Sequence, residues 1–475
     1  MNLLQKIFIF ITSFFISVLP AKTYIEGVVD QPKSFFPNQA ITQHEKTVSN
    51  LVFRGLFKYD IYGALLPYLA ESWSISEDGI VYTIKLRDNQ YWSNGKRITA
   101  DDLIYTAFSF SDLEGVATDK VDDLTVRYIL PNKYSPFLSL LTVGVVPSGS
   151  LETEDPLKPP TSADFRVVGV ERSGQKIVKV TLSSKNEEHN IKKVIFKYYS
   201  NEEELLTASK LGEIDGFVTE KIFEENMENF ENNRFPLQGI YYALYFNMEN
   251  EKVQELDVRQ SLAKVLPVSK IIVDKGIVVQ GPVSRSVFTD RDVTFDLFDD
   301  EYVGNLENNE LTITIPDVEK HSFTANLIKD FWEDALNIEI TVKKVAPDII
   351  IKDVIEKRDF EILLYGQEIG RDPDRYVNWH SEERAHPGLN ISGFEHVVSD
   401  QALEEGRNEL DNEKRVEHYN NLQEVIMREV PVIFLYHPYV NFYVSEDIKG
   451  IGEKYTFTYS DRFLDFFNWD RVEKN

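Results

Sequence analysis

Residues 66–110 read LPYLAESWSISEDGIVYTIKLRDNQYWSNGKRITADDLIYTAFSF. Asp78-Gly79 suits a tight hairpin turn, because glycine accepts positive φ without steric cost. Beyond it Ile80, Tyr82, Ile84 and Leu86 alternate with Val81, Thr83 and Lys85. That period of two marks a half-buried strand. Asn94-Gly95 is a second turn signal. Thr99 is placed to cap a helix, with Asp101 and Asp102 in its first turn facing the positive end of the dipole. Leu103, Ala107 and Phe110 then share one face. Hairpin, turn and helix in succession indicate a mixed α/β chain.

Working outward, Tyr24–Val29 reads as a strand and Thr47–Leu56 as a short helix. Downstream, Lys176–Leu182 and Lys192–Tyr199 read as strands, and Tyr241–Asn247 (YYALYFN) as an aromatic one. Leu311–Ile315, the helical spacing of Leu327, Phe331 and Ala335, and Ile338–Val342 form a strand-helix-strand order. It predicts a parallel pair with a right-handed crossover. Asp359–Tyr365 is a further strand. Asp411 opens a long helix that Pro431 stops; Val432–Tyr436 is a buried strand, and His437-Pro438 turns the chain.

The chain has 475 residues, 42% hydrophobic and 27% charged, enough for two or three folded domains. Residues 1–21 carry one charge, Lys6, before a mostly apolar run ending near Ala21, and read as a cleaved secretory signal peptide. There is no cysteine, so neither a disulfide nor a lipid-modified cysteine is available. The expected product is a freely diffusing periplasmic protein. A formal charge of −27 disfavours nucleic acid and anionic lipid as partners. Catalytic signatures such as G-x-S-x-G, H-E-x-x-H and the Walker loop are missing, so no enzymatic role is expected. His380, His386 and His396 lie near one another in sequence but lack the i,i+4 spacing of a helical metal pair, so neither metal nor cofactor is expected.

The run LAESWSISEDGIVYTIKLRD followed by YWSNGKRITADDLIYT resembles the signature of extracellular solute-binding protein family 5. This is the peptide and nickel type of ATP-binding cassette (ABC) importer component, with some oligosaccharide-binding members. Gly55-Leu56-Phe57 before Tyr59-Asp60, Leu211–Gly216, Asp257–Leu262 and Gly281-Pro282 extend the resemblance over nearly the whole mature chain. Ser162-Ala163-Asp164-Phe165-Arg166 departs from the family's Gly-Thr-Gly-Pro-Tyr run.

The resemblance implies a two-lobed α/β periplasmic binding protein fold with an extra domain. Lobe I would comprise 22–50, 165–247 and 441–475, the extra domain 51–164, and lobe II 248–440, with crossings near Asn247 and Tyr439. It implies a monomer that closes on a short peptide and docks on a membrane permease driven by ATPase subunits. Oligosaccharide or nickel import, or a chaperone-like or sensor role without transport, are the alternatives. In peptide-binding relatives an aspartate after a strand like Glu361–Tyr365 meets the ligand's α-ammonium. Asp372 matches that position best, with Asp374 second. Arg371 or Arg375 would take a ligand carboxylate, Tyr376 and Trp379 would wall the cleft, and Tyr245 and Asn247 would contact ligand near the crossing.

Overall fold

The computed structural model describes residues 23–223, 227, 229–283, 296–304, 306 and 310–472; the leader read at 1–21 lies outside them. Val432–Ser445 is one unbroken strand, and the sheets of the two lobes meet along it. Its first part runs antiparallel to Ile240–Phe246, with Val432 opposite Tyr245. Its last part runs antiparallel to Gly216–Thr219, with Val444 opposite Gly216. His437-Pro438, expected to turn the chain, instead lies inside this strand, with Pro438 opposite Gly276. Only glycine fits there, since a Cβ on Gly276 would sit 1.9 Å from the His437 carbonyl oxygen.

In lobe I the strand order is Phe165–Ser173, Lys176–Ser184, Lys193–Tyr198, Thr23–Val28, Gly216–Thr219 and the shared strand. In lobe II it is Glu339–Val345, Glu310–Pro316, Ile362–Glu368, Ile240–Phe246 and the shared strand. Glu310–Pro316 and Glu339–Val345 are parallel and joined by the helix Glu319–Leu336, as the strand-helix-strand pattern predicts. Tyr241, Ala243 and Tyr245 enter one hydrophobic core; Leu244 and Phe246 enter another on the opposite face. A strand covered on both faces shows no polar alternation, which is why YYALYFN carries none.

The opening stretch forms the extra domain. Its four antiparallel strands run in the order Ala70–Ile75, Val81–Leu86, Thr125–Ile129 and Ala117–Asp122. Asp102, in the first turn of the helix Ala100–Ser109, accepts hydrogen bonds from Thr99 N (2.9 Å), Trp92 Nε1 (3.2 Å) and Ser148 N (2.8 Å). One buried carboxylate therefore ties the tryptophan turn, the helix start and a distant loop together. Burial raises its pKa, against those three donors. The domain shares its core with lobe I, where Leu69, Tyr82 and Leu103 join Tyr24 and Phe36 in one cluster. The divergent Ser162–Arg166 run is a tied joint: Ser162 N and Ala163 N both donate to Val52 O at 3.0 Å, and Arg54 N donates to Ser162 Oγ at 2.8 Å.

The first passage between lobes lies at 235–240, not near Asn247. There Pro236 faces Tyr439, Leu237 N donates to Pro438 O (2.8 Å) and Gly239 N donates to Phe457 O (3.0 Å). Asn247 follows the strand's far end, where its Nδ2 donates to Arg358 O (3.0 Å) and Phe360 O (2.9 Å).

Three buried histidines set an acid limit on stability. Burial pulls His44 down to about 3, and His321 and His437 down to about 4. The unfolded chain binds a proton at each near pH 6.5, and the folded chain does not until pH has fallen to those values. Stability is therefore fully present above pH 6.5 and declines as pH falls from there toward 4. At pH 5 each histidine removes on the order of 2 kcal/mol. Urea unfolding at pH 7 and pH 5 should show this fall, and replacing His437 by glutamine should shrink it.

Candidate functional site

A cavity of ≈ 280 Å³ lies where both lobes and the extra domain meet. Lobe I supplies Gln43, Lys46, Ser49 and Asn50 from the helix Gln43–Val52, and the segment Phe457–Ser460. Positions 43, 46 and 50 share one helix face, while Val48 and Val52 anchor the other in the core. Thr42 and Glu45 close a capping box at the helix start (Glu45 N to Thr42 Oγ1 3.1 Å; Thr42 N to Glu45 Oε2 3.0 Å). Burial pushes the Glu45 carboxyl up, but hydrogen bonds from Lys33, Thr42, Ile41 and Ser34 outweigh it and hold the pKa below the usual value. The extra domain supplies Phe110, Val143 and Gly144.

The facing wall is Leu237, Gly239 and Ile240 of the crossing, with Glu368 and Ile369 of lobe II. Gly239 is required by proximity: a Cβ there would lie 2.4 Å from the Phe457 carbonyl oxygen. Glu368 ends the strand Ile362–Glu368. Carboxyl ends of strands in open α/β sheets are the usual rim of a ligand crevice. Lys46 and Glu368 are both exposed, and among the described residues neither charged group has a hydrogen-bond or ion-pair partner. The cleft thus presents one free cation on lobe I and one free anion on lobe II. Its volume sits near the lower bound of ligand pockets, roughly 300–1,000 Å³.

None of the eight residues singled out in the sequence lines this cavity. The Asp372 carboxylate faces Arg415 (2.7 and 3.3 Å) and accepts Asp374 N at 3.0 Å. Asp374 pairs with Arg407 at 2.9 Å. Arg375, expected as a partner for a ligand carboxylate, is fully buried and donates instead to the carbonyls of Pro282 (2.8 Å), Asp372 (2.6 Å) and Asp374 (3.0 Å). Tyr376 stacks on His380 at 4.0 Å, lies 3.9 Å from the Arg407 guanidinium, and donates to Glu382 Oε2 at 2.9 Å. Trp379 is core, edge-on to Phe394 and Phe434. The Tyr245 hydroxyl is buried on Gln367 Oε1 at 3.0 Å, and Asn247 braces the loop described above. Arg371 reaches across to Asp461 of lobe I. The residues that do form the walls, Lys46 and Glu368 among them, carried no such signal: the strand read at Asp359–Tyr365 stops short of Glu368, which ends it in the structure.

The family model of bacterial extracellular solute-binding proteins, family 5 Middle, matches residues 64–385. The chain belongs to this family. Over 90% of its length this solute-binding protein is 21% identical to the oligopeptide-binding protein OppA of Bacillus subtilis, covering 89% of that protein. Among solved structures it is similar to NikZ from Campylobacter jejuni, described in complex with Ni(L-His) (TM-score 0.71, 23% identity, 95% of this chain and 100% of that one). It is also similar to the ABC transporter substrate-binding protein CtaP of Listeria monocytogenes (TM-score 0.78, 21% identity, 95% and 99%). At these identities the structural likeness establishes the fold. The α/β binding-protein architecture inferred from residues 66–110 is therefore the one the chain adopts.

Proposed function

We propose that this protein is the solute-capture component of an ABC importer and that its solute is a short peptide with free termini. The observation behind this reading is the pair of opposite, unpartnered charges on facing walls of a small interlobe cavity. A peptide α-ammonium at Glu368 and a terminal carboxylate toward Lys46 would each form a charge-assisted hydrogen bond. The name of the relative OppA, an oligopeptide-binding protein, agrees with that class. Asp372 and Asp374 then serve the ligand only by holding the loop after Glu368. Export through a cleaved leader at 1–21 would deliver an unanchored periplasmic monomer, which hands its solute to a permease and its ATPase subunits. The role needs no cofactor and no catalytic step.

Titration calorimetry with trialanine is the test. The parent protein binds, and Glu368→Gln binds about 10- to 100-fold more weakly, the equivalent of one lost hydrogen bond to a charged group. Equal affinity of the two would remove Glu368 from the site. Phe110, Phe457 and Tyr459 on the walls favour a second reading, an oligosaccharide stacked on aromatic faces. Native mass spectrometry separates the two: mixed peptide masses support the first, hexose-spaced masses the second.

A further inference from the structure

Among the described residues three ion pairs join the lobes: Arg234–Asp274 beside the crossing, and two that lie against the segment lining the cavity. The Arg371 guanidinium, from lobe II, meets the Asp461 carboxylate of lobe I. It lies between the Tyr59 ring of the extra domain (4.5 Å) and the Phe457 ring of lobe I (5.0 Å). The same Asp461 oxygen accepts Phe457 N and Thr458 N, each at 2.7 Å. Asp461 is therefore held by its own backbone, whether or not Arg371 is present. The second pair is Lys320 Nζ of lobe II to Glu220 Oε2 of lobe I at 2.6 Å, and Glu220 Oε1 accepts the Tyr459 hydroxyl at 3.3 Å. Phe457 and Tyr459 line the cavity, so each latch contacts one cavity-wall residue.

We infer that Arg371 and Lys320 are closure residues, which hold the lobes together and are aligned by the segment 457–461, whose first four residues line the cavity, rather than ligand contacts. The inference deepens the interlobe-capture reading of the cleft and rests on it. Solute that orders Phe457 and Tyr459 favours the geometry in which both pairs form; by reciprocity, the pairs raise affinity for solute. The two differ in their response to salt. The side chains of Arg371 and Asp461 are 13% and 7% exposed, and stacking shields the cation on two faces. Lys320 and Glu220 are 41% and 57% exposed, so dissolved ions screen their attraction.

The closure readout itself requires no solute. The chain has no cysteine, so Glu203→Cys on lobe I and Asn326→Cys on lobe II, both exposed, give two clean sites for spin labels. Interlobe distances are then read by pulsed electron resonance in the full chain. Arg371→Met is expected to lower the closed-to-open ratio about tenfold, within the usual range of coupling between sites. Arg371→Lys, which keeps the charge but not the planar fork, should fall between. Lys320→Gln should give a smaller shift that disappears in 1 M salt, where the Debye length is about 3 Å.

An Arg371→Met distribution identical to the parent's overturns the inference. So does a variant with parental distances that loses trialanine binding, which would make Arg371 a direct ligand contact. Thermal unfolding of each labelled variant shows whether it is folded before its distances are compared. If no variant and no parent binds trialanine, the peptide reading fails while the distances still decide the closure role.

Discussion

Asp372→Ala is expected to lower the unfolding free energy by about 3–5 kcal/mol, the usual consequence of leaving a buried charge without its counter-ion. Arg415 comes from the helix Asn412–Glu429, and its side chain is 3% exposed. Burial lowers the Arg415 pKa, but the pairing with Asp372 outweighs that, and the guanidinium stays charged. Removing the carboxylate therefore takes from this buried cation the charged partner that holds it at 2.7 Å. Asp372→Asn keeps a hydrogen-bond acceptor and should be milder. Denaturant unfolding measures the loss, and calorimetry with trialanine on the folded variant measures what happens to the site. Normal stability with binding abolished would reverse the assignment and return Asp372 to the ligand.

The second large effect is expected in lobe I. Glu26 in the first strand pairs with Arg462 near the other end of the chain, and the Tyr24 hydroxyl donates to its second oxygen at 2.9 Å. Both charged side chains are buried. Burial, followed by the neighbouring Glu26 charge, pushes the Tyr24 hydroxyl pKa well above its usual value, so tyrosine stays a donor. Glu26→Ala orphans Arg462 and that hydroxyl together, again at a cost of about 3–5 kcal/mol. Hydrogen exchange should quicken in Thr23–Val28 and its neighbour Lys193–Tyr198 while lobe II stays protected. The two alanine substitutions sit in separate lobes with no shared partner, so their effects should add within about 0.5 kcal/mol. A loss below 1 kcal/mol for Glu26→Ala would mean that Arg462 is solvated in the folded state.

What could be read from the sequence was local. Turn residues, the alternation after Gly79 and the helix begun by Thr99 each depend on neighbours a few positions away, and each reappears in the extra domain. The strand-helix-strand of lobe II was legible for the same reason. The site was not. An aspartate after a strand looks alike whether it faces a ligand or a distant arginine. Arg415 lies 43 positions from Asp372, and Arg407 lies 33 from Asp374. Which charges remain unpartnered is settled by tertiary neighbours, so Lys46 and Glu368 had nothing to distinguish them among 51 basic and 78 acidic side chains. The first crossing was misplaced because a strand buried on both faces carries no pattern to mark where it leaves one lobe for the other.

The strand Val432–Ser445 also dictates an order of assembly. Synthesis proceeds from the N-terminus, so Thr23–Val28 emerges early. Its sheet lacks the strand that flanks Gly216–Thr219 until residues 441–444 arrive, and Glu26 waits 436 positions for Arg462. Lobe II, from Ile240 to Tyr436, arrives as one continuous stretch. Lobe II can thus be complete while lobe I still presents an open strand edge, the surface on which foreign strands add. The nascent protein's exposure to misassembly is concentrated in the lobe that begins first and finishes last.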